Sequence, residues 1–170
     1  MKKYNILFLC THNSARSILG EALASTHHSG LFQGFSAGST PGDEIHPIAR
    51  QLTQELGYDQ TKLRNKSWDE YSSKDAPRMD FIITVCDQAA QEPCPFWPGQ
   101  PVTAHWSFPD PSKVQGDESH KHKAFVDTLN GLRNRIETLA QMPLDKLDSM
   151  SLREVHTKAC LLYTSPSPRD

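Results

Sequence analysis

Hydrophobic positions along the chain alternate between two rhythms. Short, nearly continuous apolar runs fill residues 4–9, 31–37, 80–85 and 101–106. Runs of that length, bounded by loop residues, are the pattern of strands buried on both faces of a parallel sheet. Between them the spacing becomes helical. Ile18, Ala22 and Leu23 mark a helix over 15–26. Ile48, Leu52 and Leu56 mark another over 46–56, with Pro47 in its first turn and Gly57 as its stop. Phe125, Leu129, Leu132, Ile136 and Leu139 step by four and three along a long helix over 119–141. A last helix is expected over 144–155. Ser67 and Glu70 have capping-box spacing, which predicts a short helix starting there. Alternating strand and helix predict an α/β fold: a single three-layer domain with a four-stranded parallel sheet flanked by helices.

The length of 170 residues suits one such domain. A net charge of −2 argues against nucleic acid or an anionic membrane surface as a partner. The opening MKKYNILFLC has too short an apolar run for a signal peptide and lacks a cleavage pattern. No stretch is long enough to span a bilayer. A cytoplasmic monomer with reduced thiols is the expectation. The tail Cys160–Asp170, CLLYTSPSPRD, has no periodicity and looks like a translated sequencing-library adapter. The domain is therefore expected over 1–159, with 160–170 a non-native tail. Cys10, Cys86 and Cys94 remain as thiols for chemistry.

Cys10 closes the first strand, and Arg16 and Ser17 open the first helix. A strand, a short loop and a helix N-terminus form a setting for anion capture by backbone N–H groups. Thr11, His12, Asn13, Ser14 and Ala15 are small or polar enough for that turn. Arg16 supplies a planar fork for two oxygens of a tetrahedral anion. The same positive field favours the Cys10 thiolate, and Ser17 can donate a hydrogen bond to it. The pattern reads as a nucleophile aimed at a bound oxyanion.

The stretch LFLCTHNSARS resembles the phosphate loop of the low-molecular-weight tyrosine phosphatase superfamily. It is more closely similar to the arsenate reductases built on that fold. FSAGS, VCDQAAQEPCPFWPG and AHWSFPDPS extend the resemblance to about Arg153. The resemblance implies that Asn13 braces the loop. It leaves His12 without an assigned role. It implies a relay in which Cys10 attacks arsenate, Cys86 resolves the adduct, and Cys94 passes the disulfide to an external reductant. Thioredoxin is favoured for that reductant over glutathione and glutaredoxin, and no tightly bound cofactor is implied. Phosphate would compete with arsenate.

The alternative is a phosphatase that hydrolyses phosphotyrosine or aryl phosphates through a phosphocysteine. Asp110, in the PDPS turn, matches its general acid, but Ser112 replaces the aromatic that often walls a phosphotyrosine slot. A non-catalytic redox-sensing module is a third reading. Both chemistries begin with Cys10. A phosphatase then needs an acid and water, whereas a reductase needs a second thiol. Cys86 ends the third strand and so falls at the same sheet edge as Cys10. Ala15 stands where many phosphatases carry a second loop cysteine, which favours the reductase.

The histidine pairs His27/His28 and His120/His122 do not share a helix face, so no metal site is expected from them. The resemblance also implies a potassium ion near the loop, at Asn13, Glu21 and Ser36, with Asn65 near the fourth position. Trp68, Trp97 and Trp106 are expected to pack.

Overall fold

The computed structural model describes residues 3–73, 75–85 and 101–141. Four strands form the predicted sheet: β1 (Tyr4–Cys10), β2 (Phe32–Gly38), β3 (Phe81–Thr84) and β4 (Val102–His105). All neighbours are parallel, in the order β2-β1-β3-β4. Cys10 lies opposite Gly38, Leu9 opposite Thr84, and Thr84 opposite His105. The carboxyl ends of all four strands therefore meet at one edge.

Strand alternation divides the core between the two faces. Ile6, Phe8, Phe81 and Ile83 join the larger cluster, with Ile18, Leu19, Phe125 and Leu132 from the helices. Leu7, Leu9, Ala37 and Ile82 join a second cluster with Trp68 and Met79. The larger face is covered by α1 (Arg16–Ser25), α2 (Pro47–Glu55) and α3 (Glu118–Ala140). The expected helix over 144–155 lies outside the described residues, as do Trp97 and the tail. Trp68 and Trp106 are buried, as packing residues should be.

Helix α1 departs from the one-sided stripe read from its sequence. Every residue from Ser17 to Ala24 is buried. It is wedged between the sheet and the other two helices, so its whole circumference is interior. Its close seating depends on Gly34, where a Cβ would come 2.3 Å from the Glu21 carbonyl oxygen. Helix α2 starts one residue later than expected because His46 caps it, its Nδ1 accepting from Ile48 N–H. Asp117 caps α3 by accepting from His120 N–H.

The capping-box expectation holds only in part. Ser67 Oγ accepts from Asp69 N–H, but the element is a single 3₁₀ turn, Trp68–Tyr71. Glu70 does not reach back to complete the box. Its two oxygens take both arms of the Arg64 guanidinium, at 2.7 and 2.8 Å. A bidentate charge-assisted pair outcompetes a single backbone N–H. Among the described residues, no helix is long and apolar enough to cross a membrane.

Candidate active site

The loop between β1 and α1 is held in shape through its carbonyls. Cys10 O accepts from Ser39 N–H, Thr11 O from Thr40 N–H, and His12 O from Gly42 N–H. Asn13 O accepts from Asn65 Nδ2 at 3.0 Å, and Ser14 O from His46 N–H at 2.9 Å. Five successive carbonyls are thus tied outward. In a trans peptide each N–H points opposite to the preceding C=O. The amides of Thr11 through Ala15 therefore turn toward the concave side, which makes an anion nest. Ala15 is the N-cap of α1 and offers no capping side chain, so the dipole end of the helix opens into the same concavity.

Cys10 is 4% exposed. Its Sγ accepts from Asn13 N–H at 3.2 Å and lies 2.9 Å from Ser17 Oγ. Asn13 Oδ1 accepts from Lys66 N–H, which fixes the orientation of the amide. Its Nδ2 then donates to Ser17 Oγ at 2.9 Å. With its oxygen accepting from Asn13, the Ser17 hydroxyl directs its own proton toward sulfur. Lys66, Asn13, Ser17 and Cys10 thus form one hydrogen-bonded chain. Asn13 takes φ of 54°, a left-handed conformation that asparagine tolerates better than most residues. His12 Nδ1 donates to Thr40 O at 3.1 Å and pins the outer side of the loop.

The segment after β2 crosses close beneath this loop. A Cβ at Gly38 would come 2.5 Å from Thr11 O. Arg16 opens α1 with its Nη1 donating to Phe108 O at 2.7 Å and Nη2 lying 3.6 Å from Asp110 Oδ2. Asp110 therefore does face the loop, through Arg16. Burial by itself would raise its pKa. The Ser112 hydroxyl and amide, both donating to Oδ1, outweigh burial together with Arg16 and Lys113, and the net shift is downward. In this arrangement Asp110 is a carboxylate, with its proton already lost at neutral pH.

Glu21 and Ser36 come together as the potassium reading required, but an ammonium is already there. Glu21 Oε1 accepts from Ser36 Oγ at 2.5 Å, and Oε2 from the Tyr58 hydroxyl at 2.5 Å. Lys66 Nζ lies 3.7 Å from Glu21 Oε1 and 3.5 Å from Ser36 Oγ, and donates to Arg64 O at 2.8 Å. Burial lowers the Lys66 pKa, and the adjacent Glu21 carboxylate opposes that shift.

Cys86 and Cys94 lie outside the described residues. Strand β3 ends at Thr84, and beyond it Val85 N–H still bonds Leu9 O of β1.

Sequence reasoning missed Lys66, Tyr58, His46 and the Phe108 carbonyl. Burial and then Lys121 push the His46 pKa down, against Asp110 and Glu118, and its ring stacks on Phe125 at 4.5 Å. None of these residues has a local signal near the loop. The partners of Asn13 and Arg16 stand 53 and 92 residues away in sequence.

A parallel sheet whose first loop holds a buried thiol at a helix N-terminus, with backbone amides turned inward, defines an α/β fold with a loop suited to anion capture. The family model for low molecular weight phosphotyrosine protein phosphatase matches residues 5–150, and the chain belongs to that family. It is 31% identical over 141 residues to an arsenate reductase of Bacillus subtilis (strain 168), covering 83% of this chain and 98% of that protein. Among solved structures, it is similar to an arsenate reductase in the phosphate binding state. The TM-score is 0.60 at 22% identity, over 80% of this chain and 95% of that one. A thioredoxin-dependent arsenate reductase of Corynebacterium glutamicum gives a TM-score of 0.55 at 24% identity. That match covers 82% of this chain and 61% of that one.

Proposed function

We propose that this protein reduces arsenate to arsenite. The observation that carries the proposal is the Cys10 thiol, held by Ser17 and Asn13 inside a loop whose five carbonyls are tied away from it. Cys10 Sγ attacks the arsenic of a bound arsenate, and an arsenate oxygen leaves as water. The inward amides and the fork of Arg16 neutralise the oxyanion. The Cys86 thiolate then attacks Cys10 Sγ. The electron pair of the S–As bond passes to arsenic, which leaves as arsenite, and a Cys10–Cys86 disulfide remains. Cys94 attacks Cys86, frees Cys10, and presents a Cys86–Cys94 disulfide to an external dithiol. Atoms and charge balance as arsenate plus two thiols giving arsenite, one disulfide and water.

One observation favours this over phosphate ester hydrolysis. Curated relatives covering most of the chain are named arsenate reductases, and a structural neighbour is described as thioredoxin-dependent. Thioredoxin is accordingly the reductant we propose. The phosphatase reading retains one support, the approach of Asp110 to Arg16 at the loop mouth.

The test is a free-thiol count on reduced protein before and after one addition of arsenate without reductant, with phosphate as control. Loss of two thiols with arsenate alone, with the disulfide mapped to Cys10–Cys86 or Cys86–Cys94, is the expected outcome. Cys86→Ser should allow at most one stalled turnover. Sustained arsenate reduction by that variant with thioredoxin would overturn the relay. Hydrolysis of aryl phosphate with no thiol loss would establish the phosphatase.

A further inference from the structure

The end of α1 opposite the oxyanion loop carries a second cluster of ligating side chains. Helix α1 stops at Ser25, and residues 27–30 form a tight turn in which Gly30 N–H bonds His27 O and Gly30 takes φ of 70°. His27 and His28 therefore lie off the helix. The helix-face argument against their pairing does not apply, and their rings stack at 4.3 Å. Both Nε2 atoms converge on one carboxylate oxygen of α3. His27 Nε2 lies 2.7 Å and His28 Nε2 3.1 Å from Glu137 Oε1. The three ligand atoms all lie within 4.8 Å of one another.

We propose that His27, His28 and Glu137 form a site for a borderline divalent transition-metal ion such as zinc. Three ligand atoms on a tetrahedral ion with bonds of 2.0–2.1 Å stand roughly 3.3 Å apart. The observed spacing reaches that value with small side-chain adjustments. His28 is 77% exposed and can turn freely, while His27 is fixed, at 6% exposed. The donor set of two imidazoles and a carboxylate suits zinc, cobalt or nickel, and not magnesium or calcium, which take oxygen. His27 also has outer support. Its Nδ1 accepts from Ser29 N–H at 3.2 Å and lies 2.7 Å from Ser29 Oγ, so the ring proton here sits on Nε2 and donates to Glu137. A metal on Nε2 would move that proton to Nδ1, where the Ser29 hydroxyl accepts it once the Ser29 amide turns aside. An open cavity of about 230 Å³ lined by His27, His28 and Glu137 leaves room for water as fourth ligand. Arg133 also lines it, but its guanidinium donates to Asn130 Oδ1.

The ten residues of α1 span about 15 Å, so this site stands away from Cys10. Its effect is to clamp the turn after α1 to α3, two elements 110 residues apart in sequence. Zinc should therefore act on stability.

The experiment is zinc binding by equilibrium dialysis, with melting curves, on wild type, Glu137→Gln and His28→Ala. Cobalt spectra separate this site from the cysteines, because thiolate ligands give strong sulfur-to-metal charge transfer and imidazoles do not. Wild type should bind one equivalent more zinc than either variant, and saturating zinc should raise its Tm by about 5–10 °C. The variants should lose that increment, and exposed His28 makes failure to fold an implausible cause in His28→Ala. Equal zinc uptake and equal Tm increments in all three proteins would overturn the site. So would a cobalt spectrum with only sulfur charge transfer.

Discussion

Removing the Lys66 ammonium tests whether this chain carries its own cation beneath the loop. Lys66 and Glu21 side chains are 3% and 5% exposed. In Lys66→Ala the Glu21 carboxylate keeps the Ser36 and Tyr58 hydroxyls but loses its positive neighbour. Breaking a buried pair by deleting one partner costs about 3–5 kcal/mol, because a buried charge is left uncompensated. The two remaining hydroxyl donors place the expected loss at the lower end, about 3 kcal/mol. For a chain of this size that lowers Tm by roughly 6–12 °C. The assay is urea unfolding of wild type, Lys66→Ala, Glu21→Gln and the double variant, each in sodium and in potassium chloride. The double variant should recover much of the loss, since no charge is then stranded. Potassium should leave wild type unchanged and partly restore Lys66→Ala by entering the vacated place. Stabilisation of wild type by potassium, or a Lys66→Ala loss below about 1 kcal/mol, would refute the reasoning.

Three further outcomes follow from the loop. Ser17→Ala removes the hydroxyl donated to Cys10, a bond to a charged group worth about 1.5–3 kcal/mol; the midpoint of iodoacetamide reactivity against pH should rise by about one to two units, and an unchanged midpoint would remove Ser17 from the thiolate's support. Asn13→Ala should cost about 3 kcal/mol, from left-handed backbone strain and two lost hydrogen bonds, with Asn13→Gly losing visibly less; equal losses would show that the φ of 54° carries no strain. Asp110 has a folded pKa below its usual 3.8, so its hydrogen bonds stabilise the protein above that pH and are lost as pH falls through the folded value. Wild type should accordingly exceed Ser112→Ala in stability at neutral pH, with the gap closing in acid, and a gap that persists at the lowest pH would place the Ser112 contribution elsewhere.

The architecture was legible because burial repeats with the period of each element. β1 has apolar residues on both faces and reads as an interior strand, and the stripe from Phe125 to Leu139 reads as a helix covering one side. The proximity of Cys10, Asn13, Arg16 and Ser17 was equally legible, since they belong to one strand–loop–helix unit. What the sequence misjudged was set by neighbours. Glu70 abandoned the capping box for Arg64, and α1 became buried on every side. His27 and His28 lie in the turn after α1, where a helix-face argument does not bear on them.

Local sequence determined that a thiol, a guanidinium and a set of amides would stand at the end of a parallel strand, because helix and strand periodicity act within a few residues. Only the tertiary structure decided how they are held. The outward carbonyl ties come from residues 39–65, the Arg16 fork is set by Phe108 and Asp110, and the buried cation comes from Lys66. These partners meet through chain folding over tens of residues. Their pairing follows from the requirement that every buried polar group find a complement, and that requirement leaves no periodic trace in the chain.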